Sequence, residues 1–129
     1  MAQTDFKYSD LTSKIIGCAF EVHKVLGNGF QEVIYQRALA HEFSLQEISF
    51  SREHEMPIFY KNKQIGTRRV DFFVNNAVLV EIKAIKCLEN IHLAQGKNYL
   101  EAYNIDVGLL LNFGSMSVEV KRLVNSRCY

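Results

Sequence analysis

The sequence is poor in the features that would make it anything other than a small folded domain. It contains one proline and seven glycines, so there is no linker and no low-complexity stretch. No internal repeat is present. No apolar run approaches the length of a membrane span. The N-terminus, Met1-Ala2-Gln3-Thr4-Asp5, lacks the basic-then-apolar pattern of a signal peptide. The three cysteines, Cys18, Cys87 and Cys128, are odd in number and widely spaced, which argues against a disulfide framework. No C-x-x-C pair suggests zinc or an iron–sulfur cluster. Together these absences point to a reducing, cytoplasmic setting and to no membrane partner. Charge of one sign is also missing. The formal net charge is +1, too small for a protein that holds nucleic acid by bulk charge. Any such contact must come from a local patch. Basic residues cluster at Lys61 and Lys63, Arg68 and Arg69, Lys83 and Lys86, and Lys121 and Arg122, which read equally well as solvated surface.

What is present is enough for a core. Hydrophobic residues make up 48% of the 129, and the length fits one domain over 1–129. Ser9 or Asp10 is placed to cap a helix whose apolar positions, Leu11, Ile15, Cys18, Ala19, Val22, Val25 and Leu26, recur at helical spacing. Gly27-Asn28-Gly29 stops it. A second helix runs from about Gln31 to Leu45. Ile48 to Tyr60 is rich in β-formers, and Pro57 suits a strand edge or bend. Lys61-Asn62-Lys63-Gln64 reads as a turn. Thr67 to Val74 and Val78 to Lys83 read as strands, Leu88 to Tyr103 as a helix, Val107 to Asn112 as a buried strand, and Met116 to Leu123 as a last strand. The order α-α-β-β-β-α-β-β predicts a mixed α/β fold with helices covering a sheet.

The most informative segment is Arg68 to Lys83. A two-residue turn at Asn75-Asn76 would put Asp71 and Glu81 on opposite faces. A three-residue loop, Asn75-Asn76-Ala77, instead pairs Val74 with Val78, Phe72 with Val80 and Val70 with Ile82. One face is then wholly apolar. The other carries Asp71 opposite Glu81 and Arg69 opposite Lys83. A one-residue slip would mix the two sets, so the hydrophobic pattern selects this register, with Asn76 left-handed. Two facing carboxylates repel by on the order of a few tenths to 1 kcal/mol. A divalent cation would offset this, and oxygen ligands suit magnesium or manganese. Lys83 projects to the same face. An exposed network of acids and bases would share this spacing, but in Val78-Leu79-Val80-Glu81-Ile82-Lys83 the charges interrupt a run that otherwise reads as buried. Buried charges need partners or a metal.

Gln95 and Tyr99 share a helix face with His92, where an amide and a phenol can orient a water, a carboxylate or a phosphate. Glu32 opens the second helix three residues before Tyr35. It can reach toward the metal, though spacing alone reads as a solvated glutamate favoured by the helix dipole. Arg69, Tyr99 and His23 are the candidate substrate contacts; a lone histidine is also commonly a structural hydrogen-bond former.

Gly29-Phe30-Gln31-Glu32-Val33-Ile34-Tyr35 resembles the signature of the small bacterial and archaeal GxxExxY proteins. The likeness continues through Val22-His23-Lys24-Val25-Leu26-Gly27, Val70-Asp71, Glu81-Ile82-Lys83, Ala94-Gln95, Asn98-Tyr99-Leu100 and Gly108-Leu109-Leu110-Leu111-Asn112-Phe113. That family is grouped with the PD-(D/E)XK nucleases, and Gln95 to Tyr99 is similar to the Q-x-x-x-Y helix of RecB-type members. The resemblance implies a restriction-endonuclease-like sheet flanked by helices. It implies a divalent metal held by Asp71 and Glu81 with help from Glu32, Lys83 as the catalytic lysine, and Gln95 as a positioning residue. Asn28 stands where the family's turn often has proline, and Val70 where the superfamily often has proline before the aspartate. The expected activity is metal-dependent hydrolysis of phosphodiester bonds in DNA or RNA. A catalytically silent module binding nucleic acid or protein on the same fold is the alternative. A third reading is a structural or regulatory homo-oligomer with an incidental acidic cluster.

Overall fold

The structure is a computed structural model that describes residues 7–126. Met1–Asp5, read above for a signal peptide, and Cys128 lie outside the described residues. The expected order is the observed one: α1 (Ser9–Leu26), α2 (Glu32–Leu45), β1 (Phe50–Tyr60), β2 (Lys63–Val74), β3 (Val78–Lys83), α3 (Asn90–Tyr103), β4 (Val107–Asn112) and β5 (Glu119–Val124). Among the described residues no helix is long and apolar enough to cross a membrane.

Element ends differ from the sequence reading for local reasons. α1 is preceded by a left-handed Tyr8 with no side-chain cap, rather than by a Ser9 or Asp10 cap. α3 begins at Asn90, because Glu89 and His92 close a capping box in which His92 Nδ1 accepts the Glu89 N–H. β2 begins at Lys63, not Thr67. Lys61 and Asn62 are both left-handed and form the whole turn, so Tyr60 pairs with Lys63 and Phe59 with Gln64. Two positive φ angles give a turn whose twist matches the flanking strands. β5 lies at Glu119–Val124, a few residues later than the alternation suggested.

The five strands lie in the order β1-β2-β3-β4-β5. β3 and β4 are parallel and α3 connects them; the other pairs are antiparallel. α1 and α2 cover one face. There Ile15, Val22, Leu39 and Phe43 meet Phe72, Val74, Val78, Val80, Ile82, Leu109 and Leu111. α3 covers the other, where Leu100 meets Leu79, Leu110 and Leu123. Fully burying one such side chain stabilises by roughly 1.5–3 kcal/mol, so a slip of one residue in β3 is heavily disfavoured.

The β2–β3 register is the one the hydrophobic pattern selects: Val74 pairs with Val78 and Phe72 with Val80. Asn75 and Asn76 are both left-handed, not Asn76 alone. The single apolar face, however, ends at Asp71. Val70 packs with Met56, Leu79 and Leu100 on the α3 side, not with Phe72. The β1–β2 ladder passes from Arg52–Phe72 to His54–Val70 with no Glu53–Asp71 pair, and Glu53 is left-handed at φ 52°. The strand pair turns over at this point. Phe50 accordingly packs on the α1–α2 side and Met56, of the same parity, on the α3 side.

Candidate active site

β2 and β3 stop exchanging backbone bonds just beyond Phe72–Val80, and two carboxylates take over. The Ile82 N–H donates to Asp71 Oδ2 at 2.8 Å, and the Asp71 N–H donates to Glu81 Oε1 at 3.2 Å. Each acid thus bonds the backbone of the opposite strand, which fixes both side chains in one wedge. The remaining oxygens are also held. Gln36 Nε2 donates to Asp71 Oδ1 at 2.8 Å, and Arg68 donates to Glu81 Oε2 at 3.0 Å. Asp71 and Glu81 therefore meet as the sequence required.

Even with these partners the site disfavours charge on Glu81. Glu81 is 6% exposed, and its pKa is pushed up to about 7. Burial is the main cause and the Asp71 charge adds to it; Arg68, the Asp71 N–H and Lys83 oppose it. Glu32, at the first turn of α2, also has a raised pKa. Partial burial acts first, Lys83 opposes the shift and Asp71 adds to it. Lys83 ends β3 within the field of both glutamates.

The start of α2 is set by Tyr35. Its buried hydroxyl accepts the Gly29 and Phe30 N–H groups at 3.0 and 3.1 Å and donates to the Gly27 carbonyl. Its ring stacks on Phe113 at 4.8 Å. The tyrosine of the Gly-x-x-Glu-x-x-Tyr run is thus a clamp on the loop before the helix; it sets the start of α2 at Glu32, and one turn on Gln36 reaches Asp71. His23 lies behind this clamp, with Nε2 3.0 Å from the Ser115 carbonyl oxygen and its ring against Phe113. It is not brought to the carboxylates.

The strand inversion at Asp71 exchanges the roles of two arginines. Arg69, expected opposite Lys83, is exposed and pairs with Glu55 at 3.6 Å. Arg68 faces Glu81 instead, with its guanidinium 4.8 Å from the centre of the Tyr99 ring. Tyr99 thus joins the site through Arg68. Gln95 is exposed one turn earlier on α3 and makes no hydrogen bond to either carboxylate. Sequence reasoning missed Gln36 and Arg68. Gln36 sits four residues after Glu32, which is a usable signal; the parity change that selects Arg68 left none.

The segment after Lys83 is held by Asn112, which is fully buried. Its amide accepts the Ile85 and Gly114 N–H groups and donates to the Ile85 carbonyl and Glu119. Glu119 also accepts the Leu88 N–H. A Cβ at position 114 would fall on the Ile85 backbone, so glycine is needed there. Asn112→Ala is expected to cost about 3 kcal/mol, because it orphans several half-buried partners at once. A thermal melt that matches wild type would contradict this.

Asp71 and Glu81 fit a hard divalent cation. Both offer carboxylate oxygens, and a cation would offset the burial and the Asp71 charge that disfavour the ionised form of Glu81 beyond what Arg68 already offsets. Two carboxylates are also a common protein share for magnesium, which keeps several of its waters. Among the described residues no three Asp, Glu, His or Cys side chains converge as a closed cage. Glu32 stands near enough to the pair for the Asp71 charge to raise its pKa. Arg68 Nε and the Tyr103 hydroxyl are buried beside Glu81 without a protein partner.

A mixed sheet flanked by helices, with an aspartate, a glutamate and a lysine where two strands part, defines a nuclease-like α/β domain. The chain belongs to the PD-(D/E)XK nuclease superfamily, whose profile matches residues 9–123. No curated protein matches the chain. In structure it is similar to the crystal structure of SSO0001, with a TM-score of 0.56 at 17% identity. The match covers 92% of this chain and 59% of that one. At that identity the likeness shows the fold alone, and the chain spans less than two thirds of the other protein's length.

Proposed function

We propose that the chain is a single nuclease-like domain, of the GxxExxY group within its superfamily, that hydrolyses phosphodiester bonds of DNA or RNA with magnesium or manganese. The observation that carries this reading is the crossed bonding of Asp71 and Glu81, which holds two acidic side chains together against their repulsion at the mouth of a strand wedge. Asp71 and Glu81 would hold the ion, with Gln36 fixing the rotamer of Asp71. A bound dication polarises a phosphoryl oxygen and lowers the pKa of a coordinated water. Lys83 supplies a fixed positive charge that orients the attacking water and stabilises the negative charge developing on the phosphate. Lys83 in turn favours the ionised form of Glu32. Arg68, planar and backed by Tyr99, would grip a phosphate with the donors that Glu81 does not use. The odd, widely spaced cysteines of the sequence favour a reducing, cytoplasmic setting.

The test is to incubate the purified protein with labelled single- and double-stranded DNA and RNA, in manganese, in magnesium and in EDTA. Cleavage of one class that EDTA abolishes is the expected result. No cleavage of any of the four, together with no rise in melting temperature on adding either metal, would overturn the reading.

A further inference from the structure

β1 and β2 are much longer than the sheet that carries them. β2 pairs with β3 only over Phe72–Val74, yet it pairs with β1 from Val74 back to Lys63. The part beyond Arg68 is an overhang about 16 Å long at the usual strand rise. Its tip is neither polar throughout nor covered. Phe59, Tyr60 and Ile65 are 59%, 60% and 62% exposed there. Lys61 places its ammonium 5.4 Å from the centre of the Tyr60 ring. From Glu55 to Arg69 the hairpin holds four basic residues, Lys61, Lys63, Arg68 and Arg69, against the one acid Glu55, in a chain of net charge +1. That stretch has a net charge of +3 (four basic residues less one acid) where the whole chain has +1, so it is a local basic patch even though Arg68 and Arg69 pair with Glu81 and Glu55.

The arm also points the right way. β1 alternates without interruption from Met56 through Ile58 to Tyr60, because the extra residue of the bulge, Ile65, lies on β2. Tyr60 and its partner Lys63 thus lie on the same side as Met56 and its partner Arg68. Arg68 is the residue that reaches Glu81. One face of the hairpin therefore runs from an exposed aromatic ring and a lysine to the catalytic carboxylates.

We propose that this arm is a binding surface for single-stranded nucleic acid, with an unpaired base stacked on Tyr60 and the neighbouring phosphates on Lys61 and Lys63. An exposed ring flanked by cations is suited to a base and its phosphates, because every base offers a π-face and the backbone offers charge. A paired base has both faces already stacked and cannot use the ring. The inference rests on the nuclease reading and narrows its substrate to strands with unpaired bases a few nucleotides from the cut.

The test is fluorescence anisotropy of a labelled oligothymidylate, and of a duplex of equal length, in EDTA so that no cleavage occurs. Wild type is expected to bind the single strand more tightly. Tyr60→Ala is expected to weaken that binding about tenfold while leaving duplex binding unchanged. Lys63→Gln is expected to reduce the salt slope by about one. Both side chains are exposed, so the variants should fold; circular dichroism checks this. Equal binding by wild type and Tyr60→Ala overturns the inference, as does a preference for duplex. A concentration-dependent dimer that Tyr60→Ala disperses, without oligonucleotide binding, overturns it in favour of a second copy of the chain. These outcomes are separate from the nuclease reading. Metal-dependent cleavage of duplex alone would sink the arm and leave the active site standing; single-strand binding lost in Tyr60→Ala without any cleavage would do the reverse.

Discussion

Lys83→Ala is expected to lower the rate of metal-dependent cleavage by about 10²–10³-fold, the usual effect of removing one fixed group that stabilises developing charge. The fold should survive. Lys83 contributes to the sheet through its backbone, which pairs with Asn112 and accepts the Phe113 N–H at 2.8 Å. Alanine keeps those bonds. What it removes is a positive charge that lowers the pKa of both Glu32 and Glu81. Both acids should then titrate higher, so the acid limb of any remaining activity should move to higher pH. Initial rates with manganese, alongside a thermal melt, decide the matter. Full activity in a folded variant would remove Lys83 from the mechanism.

Glu81→Gln is expected to abolish cleavage and to flatten the pH dependence of stability in EDTA. In the unfolded chain Glu81 titrates near its ordinary value of 4.5; in the folded chain it titrates at about 7. The folded state therefore favours the protonated acid. Below about pH 4.5 this group has no effect on stability. Between about 4.5 and 7 the unfolded state gives up the proton first, so stability falls as pH rises. Above 7 the full cost of a buried carboxylate is present, on the order of 3 kcal/mol. That corresponds to roughly 10 °C in melting temperature for a domain of this size. If Asp71 and Glu81 hold the ion as proposed, metal and proton compete for the same oxygen atoms, and manganese should stabilise wild type more at pH 8 than at pH 5.5. Glutamine cannot ionise and is a weak ligand, so both the slope and the manganese effect should shrink. A Glu81→Gln protein that melts with wild-type pH dependence and wild-type response to manganese would show that Glu81 neither carries the excess charge nor binds the ion.

Much of this was legible before any coordinates. The helices announced themselves by period, and β3 by an apolar run that only Glu81 interrupts. The β2–β3 register followed from parity, because only an odd loop separates Phe72, Val74, Val78, Val80 and Ile82 from the acids. What was hidden was hidden for physical reasons. Glu53 is an ordinary glutamate in sequence, and nothing in its type announces a left-handed backbone. Yet that conformation turns the strand pair over and decides that Arg68, not Arg69, meets Glu81. Lys61-Asn62-Lys63-Gln64 reads as a turn because it is polar, but only the first two residues turn. The last two are strand with nothing beyond them to pack on, so hydrophobic pattern could not mark them. Gln36 carries no charge, and its value to Asp71 appears only once α2 is docked.

The crossed carboxylates have a mechanical side. The long hairpin is moored to β3 by three backbone pairs and by the two bonds that Asp71 and Glu81 accept from the main chain. A ligand that draws either acid toward itself slackens one of those moorings. The amide protons of Asp71 and Ile82 are therefore built-in reporters, and their exchange with deuterium would register occupancy of the cleft from the backbone itself.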